Sequence, residues 1–101
     1  MPRPTALAPD EVARRTAALP HWRLEAGTLA RDLRFPDFRR AFAFLAAGAL
    51  EAEHLDHHPD WRNVYDRVEV RLSTHDPKGL TELDFDLAQR LDGHAAALGA
   101  R

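Results

Sequence analysis

The sequence predicts an α+β domain, a four-stranded antiparallel sheet with three helices packed on one face in the order α-β-β-α-β-β-α. Three observations predict it. Short runs of alternating apolar and polar residues come in two pairs, around 22–35 and 61–72, each split by a brief turn. A longer stretch with apolar residues three and four apart separates the pairs, and further helical patterns stand before and after them. Two hairpins divided by a helix imply one mostly antiparallel sheet covered on one side.

Pro9 suits the first position of a helix, and Asp10 and Glu11 suit its positive end. A short helix is therefore expected from Pro9 to Ala18 on a sparse face of Val12, Thr16 and Leu19, ended by Pro20. Trp22 and Leu24 alternate with Arg23 and Glu25, Ala26-Gly27 turns the chain, and Leu29, Leu33 and Phe35 line one side of a second strand. Pro36 and Asp37 open the long helix, whose face of Phe38, Ala41, Phe42, Leu45, Ala49 and Ala52 is expected against the core. It should end near His54, because Pro59 pushes His58 into extended backbone. Trp61, Asn63 and Tyr65 share one face of the third strand, with Tyr65 expected in the core, and Asp66 sits in the turn. Val68, Val70 and Leu72 form the core side of the fourth strand, opposite Arg67, Glu69 and Arg71, and the strands end at Thr74-His75. After a loop over Asp76-Pro77-Lys78-Gly79, Thr81 and Asp84 read as a capping box for a helix running through Leu83, Leu87 and Leu91 to Leu98.

With 101 residues and no repeat or linker, residues 1–101 read as a single domain. A unit of this size buries only somewhat more than ~60% of its unfolded surface, so a second copy sharing a buried face is expected, and two open sheet edges offer places for it. The absence of cysteine removes disulfide frameworks, thiolate metal sites and thiol nucleophiles together, and suits a reducing cytoplasm. The longest apolar-leaning run, Ala41 to Leu50, is far short of the ~20 residues that span a bilayer, and Met1-Pro2-Arg3-Pro4 leads into no signal-peptide core. A cytoplasmic protein with no membrane partner is the expectation. Fourteen Lys+Arg stand against 16 Asp+Glu, a net charge of −2 with no basic stripe, which argues against direct nucleic-acid binding.

Four of the six histidines, His54, His57, His58 and His75, lie in the stretch that also holds Glu51, Glu53, Asp56 and Asp76. Imidazole exchanges protons near neutrality, so such a cluster suits acid/base chemistry, and it equally suits a metal. His54 and His58 are four apart and His57 is three from His54, but Pro59 interrupts the helical alignment and no His-Glu-x-x-His is present. The plainer alternative is a polar loop whose imidazoles cap the long helix, and His21 and His94 are read as such structural residues. His75 ends an apolar strand just before a helix start, where loops gather around pockets. Trp61 either packs in the core or stacks on a flat ligand. Glu53 is either solvated or orients a histidine, and Asp84 either serves the helix N-terminus or holds His75.

Glu53-His54-Leu55-Asp56-His57-His58-Pro59-Asp60-Trp61, then Asn63-Val64-Tyr65, Leu72-Ser73-Thr74-His75, Gly79-Leu80-Thr81 and Asp84 resemble the signature of the pterin-4a-carbinolamine dehydratase family. Similarity reaches back through Trp22, Leu29, Arg31, Phe35, Phe38, Ala41 and Phe44, and departs from the usual pattern at Lys78 and Thr16. The resemblance implies the same three-helix, four-strand subunit, assembled as homodimers or homotetramers. It implies dehydration of 4a-hydroxytetrahydropterin to quinonoid dihydropterin and water, in support of tetrahydropterin recycling, with no metal and no organic cofactor. By resemblance, His57, His58 and His75 are catalytic, with His57 and His75 preferred for proton transfer and His58 mainly for holding substrate. Glu53, Asp56 and Asp84 are supporting acids, Trp61 stands near the pterin ring, and Ser73, Thr74 and Asp76 belong to a strand end that offers backbone groups to the pterin's amide edge. The rival expectations are a metal-dependent enzyme and a non-catalytic dimerisation module, a role that animal members of the family also play for a homeodomain transcription factor.

Overall fold

In the computed structural model, which describes residues 4–101, Ala26 and Gly27 both take left-handed backbone, φ 50° and 79°. Two such residues make the tight turn whose twist matches its flanking strands, and they close β1 (Arg23–Glu25) on β2 (Thr28–Arg34). The expectation about a signal-peptide core concerns Met1, Pro2 and Arg3, which lie outside the described residues. A second hairpin joins β3 (Asp60–Val64) to β4 (Arg67–Leu72), with Val64 opposite Arg67. The hairpins meet where β2 and β4 pair antiparallel, from Leu29 opposite Leu72 to Arg34 opposite Arg67, giving the order β1-β2-β4-β3.

Three helices supply the cover. They are α1 (Pro9–Ala17), α2 (Phe38–Leu55), whose first turn is capped by Asp37 accepting from the Arg40 N–H at 2.8 Å, and α3 (Glu82–Ala97). The element order is the expected one. The short loop after β4 carries more structure than expected: β5 (Thr74–His75) pairs antiparallel with β6 (Lys78–Gly79), Thr74 opposite Gly79 and His75 opposite Lys78.

Leu29, Leu33, Val68, Val70 and Leu72 of the sheet are buried against Ala41, Phe44 and Ala52 of α2 and Phe85, Ala88, Leu91 and Ala95 of α3. Arg31 shares the inner side of β2 with Leu29 and Leu33 and is only 6% exposed. A cation there needs a partner, and its guanidinium donates to Asp92 of α3, whose same oxygen accepts from the Trp22 indole N–H at 2.8 Å.

Two expectations about packing are corrected. The buried stripe of α2 is Ala41, Phe44, Gly48 and Ala52, whereas Phe38 and Phe42 are 44% and 57% exposed. Small residues let α2 approach its neighbours closely: a Cβ at Gly48 would lie 2.7 Å from Leu91 Cδ2 and 3.0 Å from Trp61 Cζ3. Tyr65 is a turn residue with φ 54°, 67% exposed, and its ring stacks on Phe38 at 6.3 Å rather than entering the core.

Candidate active site

The end of α2 decides where the adjacent histidines point. Asp56 takes left-handed backbone, φ 50° and ψ 45°, and donates its N–H to Glu53 O at 3.2 Å, while the His57 N–H reaches back to Ala52 O at 3.0 Å. This is the Schellman way of satisfying the last carbonyls of a helix, with an aspartate where glycine is commonest. It folds His57 back under the helix. His57 is 9% exposed, whereas the side chain of His58, one residue on, is 58% exposed.

His57 meets the start of α3. Thr81 and Asp84 form the capping box read from the sequence: the Thr81 hydroxyl accepts from Leu83 N–H at 3.3 Å, and Asp84 Oδ2 accepts from Thr81 N–H at 2.9 Å. Asp84 is fully buried, and its other oxygen, Oδ1, lies 2.6 Å from His57 Nε2. Oδ2 also accepts from the Thr74 hydroxyl at 2.7 Å, and the Thr74 and Thr81 hydroxyls are 2.9 Å apart. A buried carboxylate is tolerable only when its lone pairs are occupied; here donors from α3, β5 and the α2 terminus converge on it. An ionised carboxylate has no hydrogen to give, so His57 Nε2 carries the proton of that contact. Nδ1, the other ring nitrogen, makes no hydrogen bond to any of the described residues.

An open cleft of about 400 Å³ lies alongside, lined by Asp56, His57, His58, Ser73, Thr74, His75, Asp76 and Leu83, with Pro4 at its rim. Seven of the ten residues expected at a site thus line one cleft. Asp84 stands directly behind it, holding His57 rather than His75. Glu53 accepts from or is contacted by His58 Nε2 at 3.0 Å, with both side chains exposed, so it stands beside the histidine it was expected to orient. Trp61 is placed otherwise. It sits on the inner side of β3, its ring 6.3 Å from Phe44 and close over Gly48, and it does not line the cleft. A larger groove of about 590 Å³ between α1 and α3 is lined by Arg14, Arg15, Glu11 and Glu82 among others and carries no imidazole.

His94, read as structural, lies 2.8 Å from Glu51, which also accepts from Arg90 at 3.1 Å. The hydrogen bonds from His94 and then Arg90 hold the Glu51 carboxyl below its ordinary value. Among the described residues, no group of three or more His, Asp or Glu side chains is arranged to hold a metal ion. The sequence marks Thr81 as a helix cap within the family signature and gives it no site role; its contact with Thr74 adds it to the site.

The family model for pterin 4 alpha carbinolamine dehydratase matches residues 5–94. The chain belongs to that family. A Burkholderia orbicola (strain MC0-3) protein called "Putative pterin-4-alpha-carbinolamine dehydratase" is 49% identical over 92 residues, covering 89% of this chain and 90% of its own. One of the same name from Synechococcus sp. (strain WH7803) is 54% identical over 74 residues, 73% of this chain and 80% of its own. The crystal structure of a transcriptional coactivator/pterin dehydratase from Brucella melitensis superposes with a TM-score of 0.87 at 41% identity, covering 90% of this chain and 99% of that one.

Proposed function

We propose that the chain is a hydro-lyase that dehydrates 4a-hydroxytetrahydropterin to quinonoid dihydropterin and water, by histidine acid/base catalysis without a metal or organic cofactor. The observation that carries the proposal is the buried His57–Asp84 pair beside a cleft shared with His58 and His75, in a member of this family. In the reaction the C4a–O bond breaks, the hydroxyl leaves as water with a proton from an acid, and the N5–H proton passes to a base as the C4a–N5 double bond forms. One proton is given and one taken, so two imidazoles with opposite protonation suffice near neutrality, a form of help worth about 10²–10⁴-fold.

His57 and His75 are the proton-transferring residues of this reading, and His58, steadied by Glu53, holds substrate. Asp84 fixes His57, and Asp56 adds negative charge at the cleft wall. Among the described residues β5 has a strand neighbour on one side only, so the backbone of Ser73, Thr74, His75 and Asp76 can meet the edge of a flat heterocycle as it would another strand. Trp61, with its ring near Phe44 and over Gly48, braces β3 against α2, the helix that ends at the His57–His58 loop. The protein works in the cytoplasm as a homo-oligomer, which the exposed Phe38, Phe42 and Tyr65 cluster supports.

Dehydration of chemically generated 4a-hydroxytetrahydropterin, followed with and without chelator, tests the proposal. Catalysis should survive chelation and fall sharply in His57→Ala and His75→Ala. Unchanged turnover in both variants removes the assigned roles, and stoichiometric metal required for activity favours a metal-dependent enzyme. An inactive but folded protein favours an interaction module, the role named alongside dehydratase for the Brucella structure.

A further inference from the structure

We propose that Thr81 and Thr74 are positioning residues, their two hydroxyls forming a one-way hydrogen-bond relay that fixes which nitrogen of His57 works on the substrate. The inference rests on the reading of His57 as a proton-transferring residue. Each hydroxyl has one hydrogen to give. Thr74 gives its hydrogen to Asp84 Oδ2, because the carboxylate has none to offer in return. Thr81 Oγ1 already accepts from Leu83 N–H, so its own hydrogen is left for Thr74 Oγ1, 2.9 Å away. The relay therefore runs in one direction, from the backbone at the start of α3 through Thr81 and Thr74 to the carboxylate.

With Oδ2 occupied by the Thr74 hydroxyl and the Thr81 N–H, the carboxylate cannot turn, and Oδ1 is left facing His57 Nε2 as an acceptor. Thr74, Thr81 and Asp84 are all at least nine-tenths buried, so solvent does not compete for these contacts. Neutral His57 is thereby held with its hydrogen on Nε2 and its lone pair on Nδ1, the nitrogen without a partner among the described residues. It takes a proton at Nδ1 and, once charged, returns one from the same atom. The other titratable groups lining the same cleft are Asp56 and His58 of its own loop, His75 of β5 and Asp76 of the turn that follows.

The test combines ring nitrogen NMR with kinetics on Thr74→Val, Thr81→Val and the hydroxyl-retaining Thr81→Ser. In the wild-type protein, long-range proton–nitrogen correlations should show neutral His57 protonated on Nε2. Thr74→Val, which removes a hydrogen bond to a charged group, should lower kcat roughly ten- to a hundredfold with KM little changed. Thr81→Val removes a neutral contact one step further back and should lower kcat roughly two- to tenfold. Both should admit the Nδ1–H form, and Thr81→Ser should restore wild-type rate and tautomer. A wild-type His57 protonated on Nδ1 overturns the inference even if a valine variant fails to fold, as does an unaltered kcat and tautomer in both valine variants. An inactive wild-type protein with the Nε2–H ring would instead defeat the dehydratase reading and leave the relay standing.

Discussion

Asparagine at position 84 keeps the size of the side chain and reverses the hydrogen bonding of half of it. Three donors converge on Asp84, from Thr74, Thr81 and His57. Truncation to alanine would orphan all three at about 1–3 kcal/mol each, enough to threaten a domain whose whole stability is on the order of 5–15 kcal/mol. Asp84→Asn avoids this: the amide oxygen can take the Oδ2 position and accept from Thr74 and Thr81. The amide NH2 then faces His57 Nε2, which must become an acceptor, moving the ring hydrogen to Nδ1 and blocking the nitrogen that the proposed mechanism leaves for the substrate. Loss of charge on three bonds, offset by easier burial of a neutral group, should cost about 1–3 kcal/mol in urea unfolding. The effect on turnover should be much larger. In serine protease triads the same exchange costs about 10⁴-fold through the wrong tautomer, and a drop of roughly 10²–10⁴ in kcat is expected here. Dehydration kinetics beside urea titration separates the two effects. A variant that loses stability as expected but keeps its kcat would refute the argument that Asp84 acts on the reaction through the imidazole.

Gly48→Ala gains up to about 1 kcal/mol of helix propensity but overpacks Leu91 and Trp61 at about 1–3 kcal/mol, so a net loss of up to about 2 kcal/mol is expected; a stabilised variant in urea refutes the close approach. Glu51 has a folded value lowered from 4.5 by His94 and Arg90, so its contribution is fully present above that pH and is lost as pH falls through the lower folded value. Glu51→Gln should therefore flatten part of the acid limb of stability, and urea midpoints that fall in parallel with wild type over that range count against it. If the proposed homo-oligomer forms through the Phe38, Phe42 and Tyr65 cluster, wild-type protein should sediment above monomer mass and Phe38→Ser with Phe42→Ser at monomer mass; a monomeric wild type or an unaltered mass counts against that interface.

The hairpins were legible because a two-residue period names both the strands and their inner faces, as Val68, Val70 and Leu72 show. Tyr65 was misplaced because the same odd-numbered stride was carried one residue too far, across a turn that only its positive φ reveals. On α2, periodicity gave an apolar stripe that includes Phe38 and Phe42, while burial follows the stripe of Ala41, Phe44, Gly48 and Ala52. Spacing cannot say that a narrow face with a glycine packs closer than a broad aromatic one. Clustering picked out His54, His57, His58 and His75 with the acids beside them, and the family resemblance named the rest of the candidate site, yet neither gave the partner of Asp84. Its link to His57 spans 27 residues and depends on the Schellman ending of α2, which an aspartate at the left-handed position does not advertise.

One carboxylate both opens α3 and grips His57. A guest that engages the imidazole therefore tightens the first turn of a helix whose amides it never touches. Slowed hydrogen exchange across residues 81–84 would then report occupancy of the cleft without a chromophore, and local fraying of that turn would silence turnover while the sheet was still folded.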